Sequence, residues 1–389
     1  MSDISVTVSV TDATGAEAMA TVGGIITTTI GGGDPFAPQD GSLTPGGSIP
    51  YPNYFTTLFP NAYPHRPPWK VAGVDYGIGP RSSVTLQPWT TICPLNGTNG
   101  NWSDQVEGTA VLRYLGGSSG LNLSGIDFNN PSPRLCHING TTGTILISDC
   151  NFVATNPNNS NSLWMQNLTG PITLQYCKAF GAGNVNLQED TVKFDGTSGA
   201  HTISYCWIGN SAQQNCHYAP SSGTLLAQFT LFEEAGLGAF QPLTPHGDFI
   251  FIQGGSASSL LLTQLQASYC VLKQLTSGAT AGTDGVQFQF NGAGNPSNVP
   301  LLSNVTFNNN TGACNPSGSP LGEYFYTGTN QTQTPPNILI SQNYIDSGSL
   351  GTPAHWHLDA PANQPNGNPT NGQITVTGNI DLVTGAVLT

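Results

Sequence analysis

Four acids stand at the head of apolar segments. Asp190 precedes Thr191-Val192-Lys193-Phe194, Asp248 precedes Phe249-Ile250-Phe251-Ile252, Asp284 precedes Gly285-Val286-Gln287-Phe288, and Glu323 precedes Tyr324-Phe325-Tyr326. Two histidines, His217 and His246, lie near them in the chain. Carboxyl groups in pairs with imidazoles in reach are the equipment of general acid–base chemistry and of glycoside cleavage. One carboxyl protonates the leaving oxygen, and the other activates water or attacks the sugar. If the segments stack as neighbouring strands, Asp248 and Asp284 stand one spacing apart, ~4.8 Å, and Asp190 and Asp248 two, ~10 Å. Those gaps fall near the carboxylate separations of retaining and inverting glycosidases. A second reading stands beside this one: an Asp where a turn enters a strand caps the turn's backbone N–H groups.

The segments alternate, with Val192/Phe194, Ile250/Ile252 and Val286/Phe288 on one face, which must be the core face. Opposite parity carries Lys193, Phe249, Phe251, Gln287, Gln289, Tyr324 and Tyr326. Flat apolar rings and amides in a row suit the faces and hydroxyls of sugars. Phe249, Phe251, Gln287, Gln289, Tyr324 and Tyr326 are therefore the expected glycan-binding set, and Trp356 in His355-Trp356-His357 extends it. Loops folded over the same aromatics would bury them instead. The His355/His357 pair lacks a third ligand, and the chain has no Cys-x-x-Cys or His-x-x-x-His pair, so neither metal nor cofactor is expected. Glu233 and Glu234, beside a Gly-rich loop, read as solvated loop acids.

The elements that must position these residues form a repeat. A four-residue phrase, apolar then small polar then two variable positions, recurs with its first residue at Leu123, Ile147, Leu174, Ile203, Leu226, Ala267, Leu302, Ile340 and Val376. The steps are 24, 27, 29, 23, 41, 35, 38 and 36 residues. The short steps fit one turn of a parallel β-solenoid, and the long ones fit a turn with inserted loops. Nine turns at ~4.8 Å make a rod of roughly 40 Å. The fourth position of the phrase holds Cys150, Cys177, Cys206 and Cys270, in line with Ile126, Phe229 and Val305. Like residues stack on like, so these four cysteines are expected to be a buried column of reduced thiols.

This repeat resembles that of the right-handed parallel β-helix proteins, the pectate-lyase-like superfamily, over roughly residues 71–389. Thr283-Asp284-Gly285-Val286 is similar to the Asn-Thr-Asp-Gly-apolar motif of polygalacturonase-like glycosidases, in which the Asp is catalytic; here Gly282 replaces the Asn. Pro245-His246-Gly247-Asp248 looks like the His-x-Asp-apolar pattern that recurs in β-helix enzymes. The resemblance implies an all-β fold. It also implies one of three roles, since the superfamily holds enzymes, phage tailspikes and non-catalytic adhesins.

Composition narrows the choice. The chain has 8 Lys+Arg against 21 Asp+Glu, a formal net charge of −13, and only 7% charged residues, where ~25% is usual. Eight cations cannot line a phosphate-binding surface, so no nucleic-acid partner is expected. A helical bundle lacks its usual surface residues, and no apolar run is long enough for a membrane span. An acidic polymer is a poor substrate for so acidic a protein, which favours a neutral glycan. Residues 1–30 read as a short β segment able to serve as an attachment element. Residues 31–70 form a Pro/Gly-rich linker or clamp whose aromatics, Trp69 among them, can pin it to a neighbouring surface. No Sec signal peptide is visible at Met1–Val10. The resulting expectation is a β-helix at a virion surface or otherwise extracellular, tailspike-like or a decoration protein. It would bind a surface glycan and contact other virion proteins through its N-terminal segment. Tailspike likeness adds a homotrimer as an option. The alternatives are a glycoside hydrolase or lyase acting on a neutral polysaccharide, with Asp190, Asp248, Asp284, Glu323, His246 and His217 as candidate catalytic groups, and a purely structural adhesin or coat component.

Overall fold

The protein is described by a computed structural model over residues 67–107, 109–153, 161–181, 190–237, 249–254, 261–274, 288–292, 304–314, 326–327, 337–346 and 374–388, with His65 and the strands Val6–Thr11 and Glu17–Val22. It is all-β. Beyond the antiparallel pair formed by those two N-terminal strands, three long sheets hold nine, eleven and ten strands.

The nine-stranded sheet contains the repeated phrase. Its strands, from Leu121–Ser124 and Ile145–Ser148 through to Asn337–Ser341 and Ile374–Thr377, all pair in parallel. After each of these strands the chain enters the eleven-stranded sheet within two or three residues, as in Asn151–Val153 and Lys178–Phe180. Up to Tyr326–Thr327 it then reaches the ten-stranded sheet, as in Leu163–Gln166 and Val192–Asp195, before returning to the first. We call these the first, second and third sheets. Antiparallel pairs close two ends: Trp102–Glu107 against Thr109–Leu115 on the third sheet, and Asn379–Asp381 against Val387–Leu388 on the second.

Alternation along each strand sends one face inward. Ile147 and Leu174 from the first sheet, Phe152 and Phe232 from the second, and Met165 and Phe194 from the third belong to one buried cluster. The core therefore lies between the three sheets.

Register corrects the repeat in two places. Leu123, Ile147, Leu174 and Ile203 share a column that continues through Ala227, Ala267, Phe307, Ile340 and Val376. The expected members Leu226 and Leu302 are displaced by one and five residues. The fourth column is accordingly Ile126, Cys150, Cys177, Cys206, Thr230, Cys270, Asn310, Asn343 and Asn379, with Thr230 and Asn310 where Phe229 and Val305 were expected.

This column joins the first sheet to the second and repeats one hydrogen-bonding solution. Asn310 Nδ2 donates to Ala267 O at 3.0 Å, Asn343 Nδ2 to Phe307 O at 3.0 Å and Asn379 Nδ2 to Ile340 O at 3.1 Å. The corresponding carbonyls in earlier circuits, Leu123 O, Ile147 O and Leu174 O, face the thiols of Cys150, Cys177 and Cys206 at 3.9, 3.8 and 3.6 Å. Cysteine and asparagine thus occupy the same slot, and the amide satisfies it at shorter range. The four expected cysteines are free and buried, as are Cys93, Cys136 and Cys216.

The residue before the fourth column is left-handed in every circuit: Gly125, Asp149, Tyr176, Tyr205, Phe229, Tyr269, Asn309, Gln342 and Gly378 have φ between 51° and 69°. Left-handed backbone costs a non-Gly residue on the order of 1 kcal/mol or more. Ring stacking offsets part of that cost. Tyr176, Tyr205, Phe229 and Tyr269 form a continuous stack with centroids 4.9, 5.0 and 5.4 Å apart.

A strap from Pro67 to Arg81 runs along this edge opposite to the order in which the chain lays down the strands. Trp69 meets Tyr344 and Tyr269 edge-on at 5.2 and 5.8 Å, Tyr76 meets Tyr205 at 5.9 Å, and Arg81 lies over Tyr176 at 4.5 Å. Arg81 also grips the buried Asp149 through both carboxylate oxygens, at 2.8 and 2.6 Å. Val71, Val74 and Ile78 form a second apolar cluster with Trp207, Leu231 and Val271 on the outside of the second sheet. Glu233 and Glu234 are not solvated loop acids. Glu233 is buried at the end of a strand of the second sheet, accepts from Trp207 Nε1 at 2.6 Å and pairs with Lys273 at 2.9 Å, while Glu234 lies 3.7 Å from the same Lys273.

Candidate functional site

The third sheet aligns the outward residues of successive circuits in one column. Arg113 pairs with His137, His137 with Trp164, Trp164 with Lys193, Lys193 with His217, and His217 with Phe251. Backbone pairing carries the column on to Gln289 and Tyr326. The inward neighbours Cys136, Leu163, Val192, Cys216 and Ile250 are all buried. A strand that buries alternate residues must turn the others outward. Here those others are rings and cations in a chain that has few cations to place.

The column is organised by contact between rungs. His137 and Trp164 stack face to face, with centroids 4.3 Å apart and planes 9° from parallel. Arg113 Nε donates to His137 Nδ1 at 3.3 Å, and the other imidazole nitrogen, Nε2, lies 3.2 Å from Gln166 Oε1. Nδ1 is therefore the acceptor and Nε2–H the donor. Burial, reinforced by the Arg113 charge, holds the His137 pKa below its usual value. Further along, His217 meets Phe251 edge-on at 5.1 Å.

Asp190 enters this column from the side. It precedes Val192–Asp195, the strand that bears Lys193, and its Oδ2 accepts from His217 Nδ1 at 2.7 Å. Lys193 Nζ lies 3.6 Å from the same oxygen. Asp190 and His217 are both buried, with relative exposures of 7% each, yet among the described residues Asp190 Oδ1 and His217 Nε2 have no hydrogen-bond partner. The carboxylate fixes which ring nitrogen carries the proton and leaves the opposite nitrogen buried without a partner among the described residues, the pairing of groups that general acid–base chemistry uses. It joins two of the candidate catalytic residues directly.

The other candidates are distributed as follows. Asp248, Asp284, Glu323, His246, Gln287, Tyr324 and Trp356 lie outside the described residues. For Gln289 and Tyr326 the backbone alone is described. Phe249 and Phe251 are corrected as an exposed pair: their relative exposures are 1% and 7%. Phe249 precedes its strand, where alternation no longer governs direction, and joins the core 6.5 Å from Phe232. Phe251 keeps the outward parity but is covered against His217.

The sequence reasoning did not single out Arg113, His137 or Trp164. Trp164 shares with Lys193 and His217 the second position of its strand, a signal present in the sequence, whereas His137 is third in Leu135–Asn139 and Arg113 fifth in Thr109–Leu115, so only pairing register aligns them. Among the described residues no group of three or more metal-binding side chains occurs, and no helix is long and apolar enough to cross a membrane. No family model, curated protein or solved structure matches the chain.

Proposed function

We propose that the three sheets are the faces of a right-handed parallel β-helix, and that this rod is a virion-surface protein, tailspike-like or a decoration protein, which binds a surface glycan along its third sheet. The observation that carries this reading is the outward column from Arg113 through His137, Trp164 and Lys193 to His217. It offers ring faces and hydrogen-bonding heads at the spacing of the strands, which suits an extended polyhydroxylated chain lying across successive rungs. The low charge of the protein agrees with a neutral glycan. The N-terminal β segment and Pro/Gly-rich stretch suit attachment to other virion proteins.

The test is a glycan array followed by co-sedimentation with the polysaccharide that scores highest. The reading predicts saturable binding that Trp164→Ala weakens at least tenfold; absence of binding to any bacterial or plant polysaccharide removes it. A second reading, cleavage of that polysaccharide, is favoured by the Asp190–His217 pair with its free Nε2. A reducing-end assay decides it. Release by wild type that Asp190→Asn abolishes supports an enzyme, and no release leaves a binding module.

A further inference from the structure

Among the described residues nine buried side-chain nitrogen or oxygen atoms have no hydrogen-bond partner, and three of them belong to the site above: Trp164 Nε1, Asp190 Oδ1 and His217 Nε2. Such atoms are costly, about 1–3 kcal/mol each, and native proteins pair nearly all of them. Two on one outward column, and a third on the acid that touches it, call for a common partner.

Their chemistry defines it. Trp164 Nε1 is only a donor, and Asp190 Oδ1, with its sister oxygen taken by His217, is an acceptor. In the neutral ring, Nδ1 gives its proton to Asp190, so Nε2 is a bare acceptor as well. Two acceptors side by side need two donors held side by side. Trp164 and His217 stand two rungs apart, roughly 10 Å. The intervening Lys193 side chain is 26% exposed, so solvent reaches the column at Lys193, beside the three buried atoms.

We infer that the Asp190–His217 pair is a subsite for a vicinal diol of the bound glycan, one hydroxyl donating to Asp190 Oδ1 and its neighbour to His217 Nε2. A hydroxyl or ring oxygen of the preceding sugar accepts from Trp164 Nε1. This rests on the glycan-binding reading above and names the recognition element of that same surface. A single water fills the role poorly. It can give protons to both acceptors, but it leaves the indole N–H two rungs away unpaired.

The full-length protein labelled with 15N-histidine tests it. His217 is assigned by its loss in His217→Gln, and its ring nitrogens are followed during titration with methyl α-D-mannopyranoside, methyl α-D-galactopyranoside and methyl α-D-glucopyranoside. Each is compared with its 3-deoxy analogue, which keeps no vicinal hydroxyl pair. The proposal expects at least one parent sugar to shift the Nε2 resonance saturably. It expects the matching 3-deoxy sugar to bind at least tenfold more weakly, and Asp190→Asn to abolish the shift. If polysaccharide still co-sediments with the protein but no parent sugar moves Nε2, or the 3-deoxy sugar moves it equally, the diol subsite is wrong while the glycan-binding reading stands. If neither polysaccharide nor sugar binds, both fail.

Discussion

Asn343 Nδ2 donates to Asn379 Oδ1 at 2.8 Å, in the same column that places the thiols of Cys150, Cys177 and Cys206 one circuit apart. The amide of Asn343 also reaches Phe307 O, and its Oδ1 accepts from both the backbone and the side-chain nitrogen of Asn310. Asn343→Ala deletes this junction and takes the side-chain partner from a buried donor, Asn310 N, and from a buried acceptor, Phe307 O. We expect a loss of about 3 kcal/mol in urea unfolding. Cys177→Asn inserts an amide of similar volume into an equivalent slot, where its oxygen can accept from Cys150 N and its nitrogen can serve Ile147 O. That variant is expected to lie within about 1 kcal/mol of wild type or above it.

The strap makes a separate prediction. Asp149 is fully buried and its carboxylate is held by Arg81. Arg81→Ala strands that charge, at a cost of about 3 kcal/mol. Asp149 is also left-handed, at φ 51°. Adding Asp149→Gly removes both the orphaned charge and the backbone cost, so the double variant should recover most of the loss. Thermal unfolding of the two variants measures this, and a double variant as unstable as Arg81→Ala would contradict the pairing.

His201 sets an acid dependence. It replaces an aliphatic residue in the inward column of Ile145, Ile172 and Leu225, where its Nδ1 shares a hydrogen bond with the Tyr218 hydroxyl. Burial lowers its pKa to about 4. The unfolded chain therefore binds this proton first, and the stabilising difference is complete above the ordinary value near 6.5 and is lost as pH falls towards 4. The shift corresponds to about 3 kcal/mol. Unfolding of wild type and His201→Leu at pH 7 and pH 4.5 should show a smaller loss for the leucine variant. Equal losses would place the acid sensitivity elsewhere.

The buried thiols should be inert. Burial raises the pKa of Cys177 well above its usual value and that of Cys270 to about 12. An aromatic disulfide reagent at pH 8 is expected to modify none of Cys150, Cys177, Cys206 and Cys270 in the folded protein and all of them in guanidinium. Rapid native modification of any would contradict the packing.

Much of this architecture is legible in the sequence because the first sheet repeats a short phrase. Seven of its nine starts stand in register, and the two slips have one cause. At Thr230 and Asn310 the fourth position holds hydrogen-bonding residues, whereas the apolar residues Phe229 and Val305 fit the repeat by type and place its starts at Leu226 and Leu302. Recognising cysteine, threonine and asparagine as equivalents requires knowing the carbonyl they all face. The strap was less legible, since edge-on contacts of Trp69 and Tyr76 with an aromatic stack follow no local period. At the site, Asp190 and His217 were identifiable as candidates, but their contact depends on an acid two residues before its strand reaching across to the next rung. Phe249 and Phe251 show the reverse: parity gives direction but not what covers a side chain.

The central claim is that the third sheet's outward column is the binding surface. The direct measurement is the affinity of the selected polysaccharide for Trp164→Ala compared with Leu339→Ala, which removes an exposed side chain from the outer face of the first sheet. The account predicts at least a tenfold loss for Trp164→Ala and no change for Leu339→Ala. Equal affinities for the two variants, or a loss confined to Leu339→Ala, would contradict it.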